Sequence, residues 1–447
     1  MATPSSVLFG TPLWGRDGGV AAHVQASARL LAERGVRVTV VAAKVHPQAH
    51  VPGVAVHHSP GLFKPGVAMD ARVPPGLAAQ ADVAHLHQLD DPEIVAALRR
   101  SAPVVISAHA YTACAAGEHY FRPGQECSRA HGPGCAVNLI ARGCAHVRNP
   151  RPLPGSYQRT TRALAALRRA DLAVAYSGAV ERHLAVNGVA RRAVVPLFAT
   201  MRPQDGKTSP PYGTVDQDGT VDQDGTTGSA GTTGSDGTGG RRVLFAGRVV
   251  KPKGLGVLIR AMRAVDGELV VCGDGFQLDA MRRLARRAGV ERRVEFRGWL
   301  GSEQLARELA QAAVVAVPSL WPEPFGLIGI EALAAGRPVV ASLTGGIGEW
   351  LHDGVTGVAV RPGDVRGLAR ALDALLADPE RARALGQAGR ELVAERFSPE
   401  RHVEGLLESY RVARASWEAK RGGTGAPSAS ASSPRTAAAV AATPMRS

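Results

Sequence analysis

Aromatic side chains are scarce: Phe, Trp and Tyr make up 4% of the 447 residues. Base-stacking platforms of the kind that read single-stranded RNA need them, and the chain has neither such aromatics nor zinc-finger spacing. Nucleic acid is therefore not the expected partner, although the formal net charge is +14. Lysine is rare too, standing only at Lys44, Lys64, Lys207, Lys251, Lys253 and Lys420. The positive charge is carried by arginine, which suits a solvated surface or an anionic ligand. No apolar run reaches the eighteen or so residues that a transmembrane helix requires. The opening "MATPSSVLFGTPL" lacks the basic segment that starts a secretory signal. These absences lead us to expect a cytoplasmic, soluble protein without a transmembrane segment. Its basic first half permits peripheral contact with a membrane.

What is present is alternation. In the first half, "SSVLFGT", "VRVTVVAA", "VAVHHS", "ADVAHLH", "APVVISAH", "ADLAVAYS" and "RRAVVPLF" read as buried strands, with helical patterns between most of them. Continuous apolar strands separated by helices predict a parallel, doubly wound α/β sheet. Between Pro203 and Gly240 the pattern stops. "GTVDQDGTVDQDGTTGSAGTTGSDGTGG" has no apolar face and is expected to be a flexible linker. Asp216, Asp218, Asp222 and Asp224 form two D-x-D pairs there. A metal-binding pair needs a rigid strand end, so they are read as part of the tether. After the gap the alternation restarts with "RRVLFAG", "GELVVCG", "RVEFRG", "AVVAVPS", "RPVVAS" and "TGVAV".

The expected organisation is a first Rossmann-like domain over residues 1–202, with a cysteine-bearing insertion at 111–150, then a linker at 203–240. A second Rossmann-like domain follows over 241–398. A helix at 399–420 crosses back to the first domain, and a disordered tail occupies 421–447. Two such domains place a ligand cleft between the carboxyl ends of two sheets.

The stretch "WPEPFGLIGIEALAAGRPVV" carries the chemistry of the second domain. Pro322 and Pro324 flank Glu323 and disfavour helix before them, so Glu323 lies on an extended loop. The helix can begin only near Gly326, which puts Glu331 in its second turn. Between the two carboxylates, the N–H groups of Gly326 to Ile328 present the positive end of a helix dipole, a site suited to phosphate. A carboxylate accepts two hydrogen bonds, so Glu331 suits the vicinal diol of a ribose, and Glu323 can meet hydroxyls of a second sugar. Acids also favour helix starts for dipole reasons alone. The prolines and the glycine favour the ligand reading. In "FAGRVVKPKGLGVLI", Arg248 and Lys253 sit at the two ends of a strand–helix loop, where cations would stabilise a leaving diphosphate. "VVCGDGFQLDAM" is not a dinucleotide fingerprint, because Leu278 stands where the third glycine belongs.

The order of these motifs is specific. Gly247-Arg248 is followed after four residues by Lys253-Gly254. Then come Gly273-Asp274-Gly275, Pro318-Ser319, Glu323-Pro324-Phe325-Gly326 with Glu331-Ala332, and "GRPVVAS", "GG" and "DGVTGVAVRPGD". This series resembles the retaining family-4 glycosyltransferases (group 1) of the GT-B fold: two Rossmann-like domains facing each other across a cleft. The resemblance implies that Arg248 and Lys253 hold the donor diphosphate and that Glu331 binds the ribose. Glu323 and the backbone of Phe325, Gly326 and Leu327 would hold the donor sugar and phosphate. It also implies that no metal or other cofactor is required, the nucleoside-diphosphate sugar being a co-substrate.

In the first domain, Gly18 and Gly19 in "LFGTPLWGRDGGVAAHV" let the backbone approach a ligand. The resemblance places this loop beside the donor phosphate and the acceptor, and a histidine after a middle strand near the donor sugar. His109 in "APVVISAHAY" occupies that point, with Ala110 where many relatives have Asp. His109, Arg248, Lys253 and Glu323 make up the expected catalytic set.

Cys114, Cys127, Cys135 and Cys144 cluster just after His109, with His119, His131 and His146 among them. Their spacing fits no C-x2-C zinc pattern. A structural clasp, by metal or redox pair, stays open, and Cys272 reads as core. The expected reaction moves a UDP- or GDP-linked hexose to the hydroxyl of an acceptor the sequence does not identify. A nucleotide-sugar epimerase and a catalytically silent nucleotide-sugar or polyanion binder are the alternatives.

Overall fold

The computed structural model of the chain describes residues 3–15, 18–47, 49–64, 66–74, 76–88, 91–115, 120–122, 125–141, 144, 153–201 and 240–422. All but the last residue of the expected linker, with its Asp pairs, and nearly all of the expected tail lie outside these. Seven short apolar runs form the first sheet: β1 (Ser6–Trp14), β2 (Arg37–Val45), β3 (Val54–His58), β4 (Val83–His87), β5 (Val104–Ala108), β8 (Leu172–Ala175) and β9 (Arg192–Val194). Between β5 and β8 lies a small hairpin, β6 (Tyr120–Arg122) and β7 (Gln125–Glu126). The second sheet has six strands: β10 (Arg242–Ala246), β11 (Glu268–Cys272), β12 (Val294–Gly298), β13 (Val314–Val317), β14 (Val339–Ser342) and β15 (Gly357–Val360).

Every pairing within the two large sheets is parallel. Strands such as Val-Val-Ala-Val of β13 are buried along their whole length, as expected when helices cover both faces. The strand orders are β3-β2-β1-β4-β5-β8-β9 and β12-β11-β10-β13-β14-β15. Each order reverses once, at β1/β4 and at β10/β13. Loops at the carboxyl ends of those strands open into a crevice. Gly18, Gly19 and the loop after β5 belong to the first switch region. Arg248 to Lys253 and Ser319 to Gly326 belong to the second. This is the GT-B architecture.

The last helix, Pro399–Gly422, lies against the first domain. Trp417 donates its indole N–H to the Arg99 carbonyl at 2.8 Å, and Tyr410 meets His85 Nδ1 at 2.8 Å. Lys420 pairs with buried Asp171 at 3.2 Å. One cluster of buried side chains runs from Phe9 and Tyr176 of the first domain through Tyr410 and Phe397 to Phe325 and Trp350 of the second. Phe325 and Phe397 meet edge to face with centroids 5.6 Å apart. Burial of each such ring contributes about 1.5–3 kcal/mol.

Candidate active site

The helix Leu327–Ala334 starts where the sequence dictates, after Pro324. Gly326 is its N-cap with φ 84°, a left-handed conformation that costs glycine nothing. Gly254 plays a similar part after the turn Lys251–Lys253: φ is 72°, and a Cβ there would fall 1.8 Å from the Pro318 carbonyl oxygen. That close approach brings the Lys253 turn against the Pro318–Glu323 loop.

Glu323 is 2% exposed. Lys253 Nζ donates to both of its oxygens, at 2.7 and 3.0 Å. Ser319 Oγ and Trp321 Nε1 donate to Oε1 at 2.6 and 3.0 Å. Burial pushes the carboxyl pKa up, but the Lys253 charge and these hydrogen bonds outweigh it and hold Glu323 below the usual carboxylate range. It is thus a permanent anion that neutralises and aims Lys253. Arg248 stands exposed at the other end of the loop, without a carboxylate partner among the described residues.

Glu331 faces a different neighbour. Thr200 N and Oγ1 donate to its Oε1 at 2.7 and 2.8 Å, and Met201 N donates to Oε2 at 3.0 Å. Burial raises its pKa to about 7 against the pull of those donors. Phe325 turns its ring into the core, and its carbonyl accepts the Trp350 indole N–H at 2.7 Å. Its backbone N–H alone is thereby left for a ligand.

The first domain closes on this arrangement from the other side. A Cβ on Gly19 would lie 3.3 Å from Leu327 Cδ2, so the Gly18–Gly19 loop abuts the helix start. His109 lies at the end of β5, its Nε2 3.2 Å from His87 Nδ1 and 3.4 Å from the Tyr176 hydroxyl. Burial, then the neighbouring His402, lower its pKa to about 3. Its ring is neutral at any physiological pH. A cavity of about 160 Å³ opens beside it, lined by Gln88, Ser107, His109 and Thr112 among others. Gln88 holds φ at 53°, a conformation rare outside glycine that concentrates at functional sites.

Two family models match the chain. The glycosyltransferase family 4 model matches residues 17–197, and the glycosyl transferases group 1 model matches residues 236–392. The chain belongs to the group 1, family 4 glycosyltransferases. The chain is 32% identical over 177 residues to an uncharacterized glycosyltransferase of Methanocaldococcus jannaschii, covering 39% of the chain and 45% of that protein. It is 39% identical over 196 residues to the D-inositol 3-phosphate glycosyltransferase of Nocardia farcinica (41% and 43% covered). The match thus spans less than half the length of these curated relatives. Among solved structures, the sucrose-phosphate synthase of Thermosynechococcus elongatus superposes with a TM-score of 0.64 at 22% identity, covering 91% of this chain and 98% of that one. Anabaena HepE in complex with UDP-glucose gives 0.62 at 20% (90% and 98%). At such identities the likeness is one of fold. The curated relatives named here are glycosyltransferases, which gives the epimerase alternative no support.

The expected motif residues of the second domain thus come together at the β10/β13 switch point of this chain, with the Gly18–Gly19 loop against the helix start. Sequence reasoning missed their partners. Ser319 and Trp321 lie within four residues of Glu323 and were findable as nearby donors. Thr200 and Met201 lie far from Glu331 in the chain, with nothing local to mark them. The cysteines Cys114, Cys127, Cys135, Cys144 and Cys272 are all free thiols. Among the described residues no three His, Cys, Asp or Glu side chains stand close enough to hold a metal ion. Burial, with Cys114, Cys135 and Cys127 nearby, pushes the Cys144 thiol up to about 11, so it is a poor nucleophile. His131 bonds Thr161 at 2.9 Å; His119 and His146 lie outside the described residues. The insertion does reach the second domain. Glu126 accepts from Gly345 N at 2.9 Å and from Thr344 Oγ1 at 3.2 Å.

Proposed function

We propose that this chain transfers a sugar from a nucleoside-diphosphate sugar, UDP- or GDP-linked, to an acceptor hydroxyl with retention of anomeric configuration. The observation that carries the reading is the meeting, at one switch point, of Lys253, the helix mouth at Gly326 and Glu331, with Gly19 and His109 opposite. In this reading residues 241–398 bind the donor, residues 1–202 bind the acceptor, and the acceptor itself is unassigned. HepE, a fold neighbour, was crystallised with UDP and with UDP-glucose, which supports a nucleotide-sugar donor. A cytoplasmic location is part of this proposal. Among the described residues no helix is long and apolar enough to cross a membrane; an acceptor at a membrane surface would be met peripherally.

The chemistry follows from charge. As the C1–O bond to the diphosphate breaks, negative charge grows on the leaving oxygen. Lys253, Arg248 and the N–H groups at the start of helix Leu327–Ala334 stabilise it without a metal ion. Glu323, held ionised by Lys253, Ser319 and Trp321, cannot act as an acid. Its four hydrogen bonds also leave it ill placed to attack C1. The departing diphosphate oxygen then takes the acceptor's proton while the acceptor oxygen bonds to C1 on the same face. Neutral His109 orients the sugar rather than shuttling protons.

The test is a screen of UDP- and GDP-sugars against purified protein with EDTA present, scored by thermal stabilisation and slow release of UDP or GDP. Lys253→Ala and Glu331→Ala run alongside. We expect one donor to stabilise the wild type, with the shift lost in both variants. Loss of a diphosphate-stabilising cation should lower turnover by about 10²–10³. No response to any donor would put the silent-binder reading first. A donor converted to a free, altered nucleotide-sugar would favour the epimerase.

A further inference from the structure

The segment that leaves β9 towards the second domain passes directly over helix Leu327–Ala334. Its last described residues, Thr200 and Met201, supply three donors to Glu331: two to Oε1 at 2.7 and 2.8 Å, and one to Oε2 at 3.0 Å. Among the described residues these are all the hydrogen bonds that Glu331 receives, and the residue is 2% exposed. An ionised carboxylate offers about four lone-pair positions. Oε1 is therefore filled, and Oε2 keeps one. A vicinal diol gripped symmetrically would need one position on each oxygen. That grip is closed here unless the Thr200 hydroxyl turns away from Oε1.

We propose that Thr200 and Met201 belong to the donor site: they hold Glu331 so that it accepts a single ribose hydroxyl, through Oε2, and the chain reads the 2′- and 3′-hydroxyls unequally. The proposal rests on the reading of Glu331 as the ribose partner. Thr200 is a positioning residue in it, since it acts through Glu331 and has no contact with the sugar. The crossing between the domains is thereby a determinant of nucleotide specificity as well as a tether.

The experiment is calorimetric titration of the full chain with UDP and GDP, then with the 2′-deoxy and 3′-deoxy forms of whichever binds. It uses wild type, Thr200→Val and Glu331→Gln. In wild type one deoxy form should bind about ten- to a hundredfold more weakly, the loss of a hydrogen bond to a charged acceptor. The other should stay within about twofold. Thr200→Val frees a position on Oε1 while keeping the side chain's shape, so the two deoxy forms should become more nearly equal. A merely structural role for Thr200 would not change that ratio. Equal losses for both deoxy forms in wild type overturn the proposal, because the diol is then held symmetrically. An unchanged ratio in a folded Thr200→Val overturns the role of Thr200. If neither nucleotide binds, or if neither deoxy form nor Glu331→Gln alters affinity, the underlying reading of Glu331 fails and takes this proposal with it. The wild-type comparison decides even where Thr200→Val does not fold.

Discussion

Glu331 and Glu323 stand one helix start apart and have opposite electrostatics. Glu323 is held ionised by an ammonium. Glu331 has only neutral donors against its burial, and its pKa rises to about 7. Ionised Glu331 accepts a ribose hydroxyl more strongly than its neutral acid does, so donor affinity should be highest above pH 7. It should weaken below that, by at most about tenfold per pH unit. Titrating a UDP- or GDP-sugar between pH 5.5 and 8.5 checks this, because His109, held near 3, does not titrate in the window. A flat profile that persists in Glu331→Gln would remove Glu331 from the site. Arg248, Lys253 and Glu323 were legible because each lies in a loop after a strand, beside a proline or glycine that fixes its backbone. His85 and His87 were legible in part: their i, i+2 spacing in "VAHLH" puts both on one face of β4. Nothing in the sequence says that this face meets Tyr410 and His109.

At the scale of elements, helix Leu327–Ala334 is set by what lies beneath it. Gly329 rests on the Trp350 ring, where an added Cβ would come within 2.2 Å of the indole. Alanine gains about 1 kcal/mol of helix propensity over glycine, but an overlap of this size costs about 1–3 kcal/mol. We expect the clash to win, because Trp350 is fully buried and anchored to the Phe325 carbonyl. Gly329→Ala should lower the denaturation midpoint and also weaken donor binding, since the helix can relieve the clash only by shifting Gly326 and Glu331. A midpoint equal to or above wild type would show that the indole has room to move. The helix itself was visible in the sequence from Pro324 and the apolar run. Its packing partner was not, because Trp350 arrives from beyond the next strand.

The whole molecule carries five histidines in one buried cluster: His23, His85, His87, His109 and His402. They come from the first-domain core and from the returning helix, and their rings lie 4.1–6.5 Å from the next. Burial lowers the pKa of each, and their mutual repulsion lowers it further in most. In the unfolded chain each titrates near 6.5. Above that pH neither state binds the protons and the cluster costs nothing. As pH falls below 6.5 the unfolded state takes protons the folded state refuses, and stability drops by up to about 1.4 kcal/mol per unit per histidine. Glu331 acts in the opposite sense between about 4.5 and 7, one group against five. Unfolding midpoints in urea should therefore fall steeply from pH 6.5 to 5, and His402→Gln should flatten the slope. A midpoint unchanged over that range would show that the cluster admits protons while folded.

One member of that cluster also has a mechanical meaning. His402 Nδ1 donates to the carbonyl of Pro196 at 2.8 Å. Pro196 lies on the segment leaving the first domain, and His402 on the helix coming back. The two crossings between the domains are thus pinned side by side. Bodies joined at neighbouring points swing like a door on one hinge line and resist sliding. A motion that opens this cleft is therefore expected to approach a single rotation about Pro196 and His402, with small angles there producing the largest displacements at the far rim of the cleft.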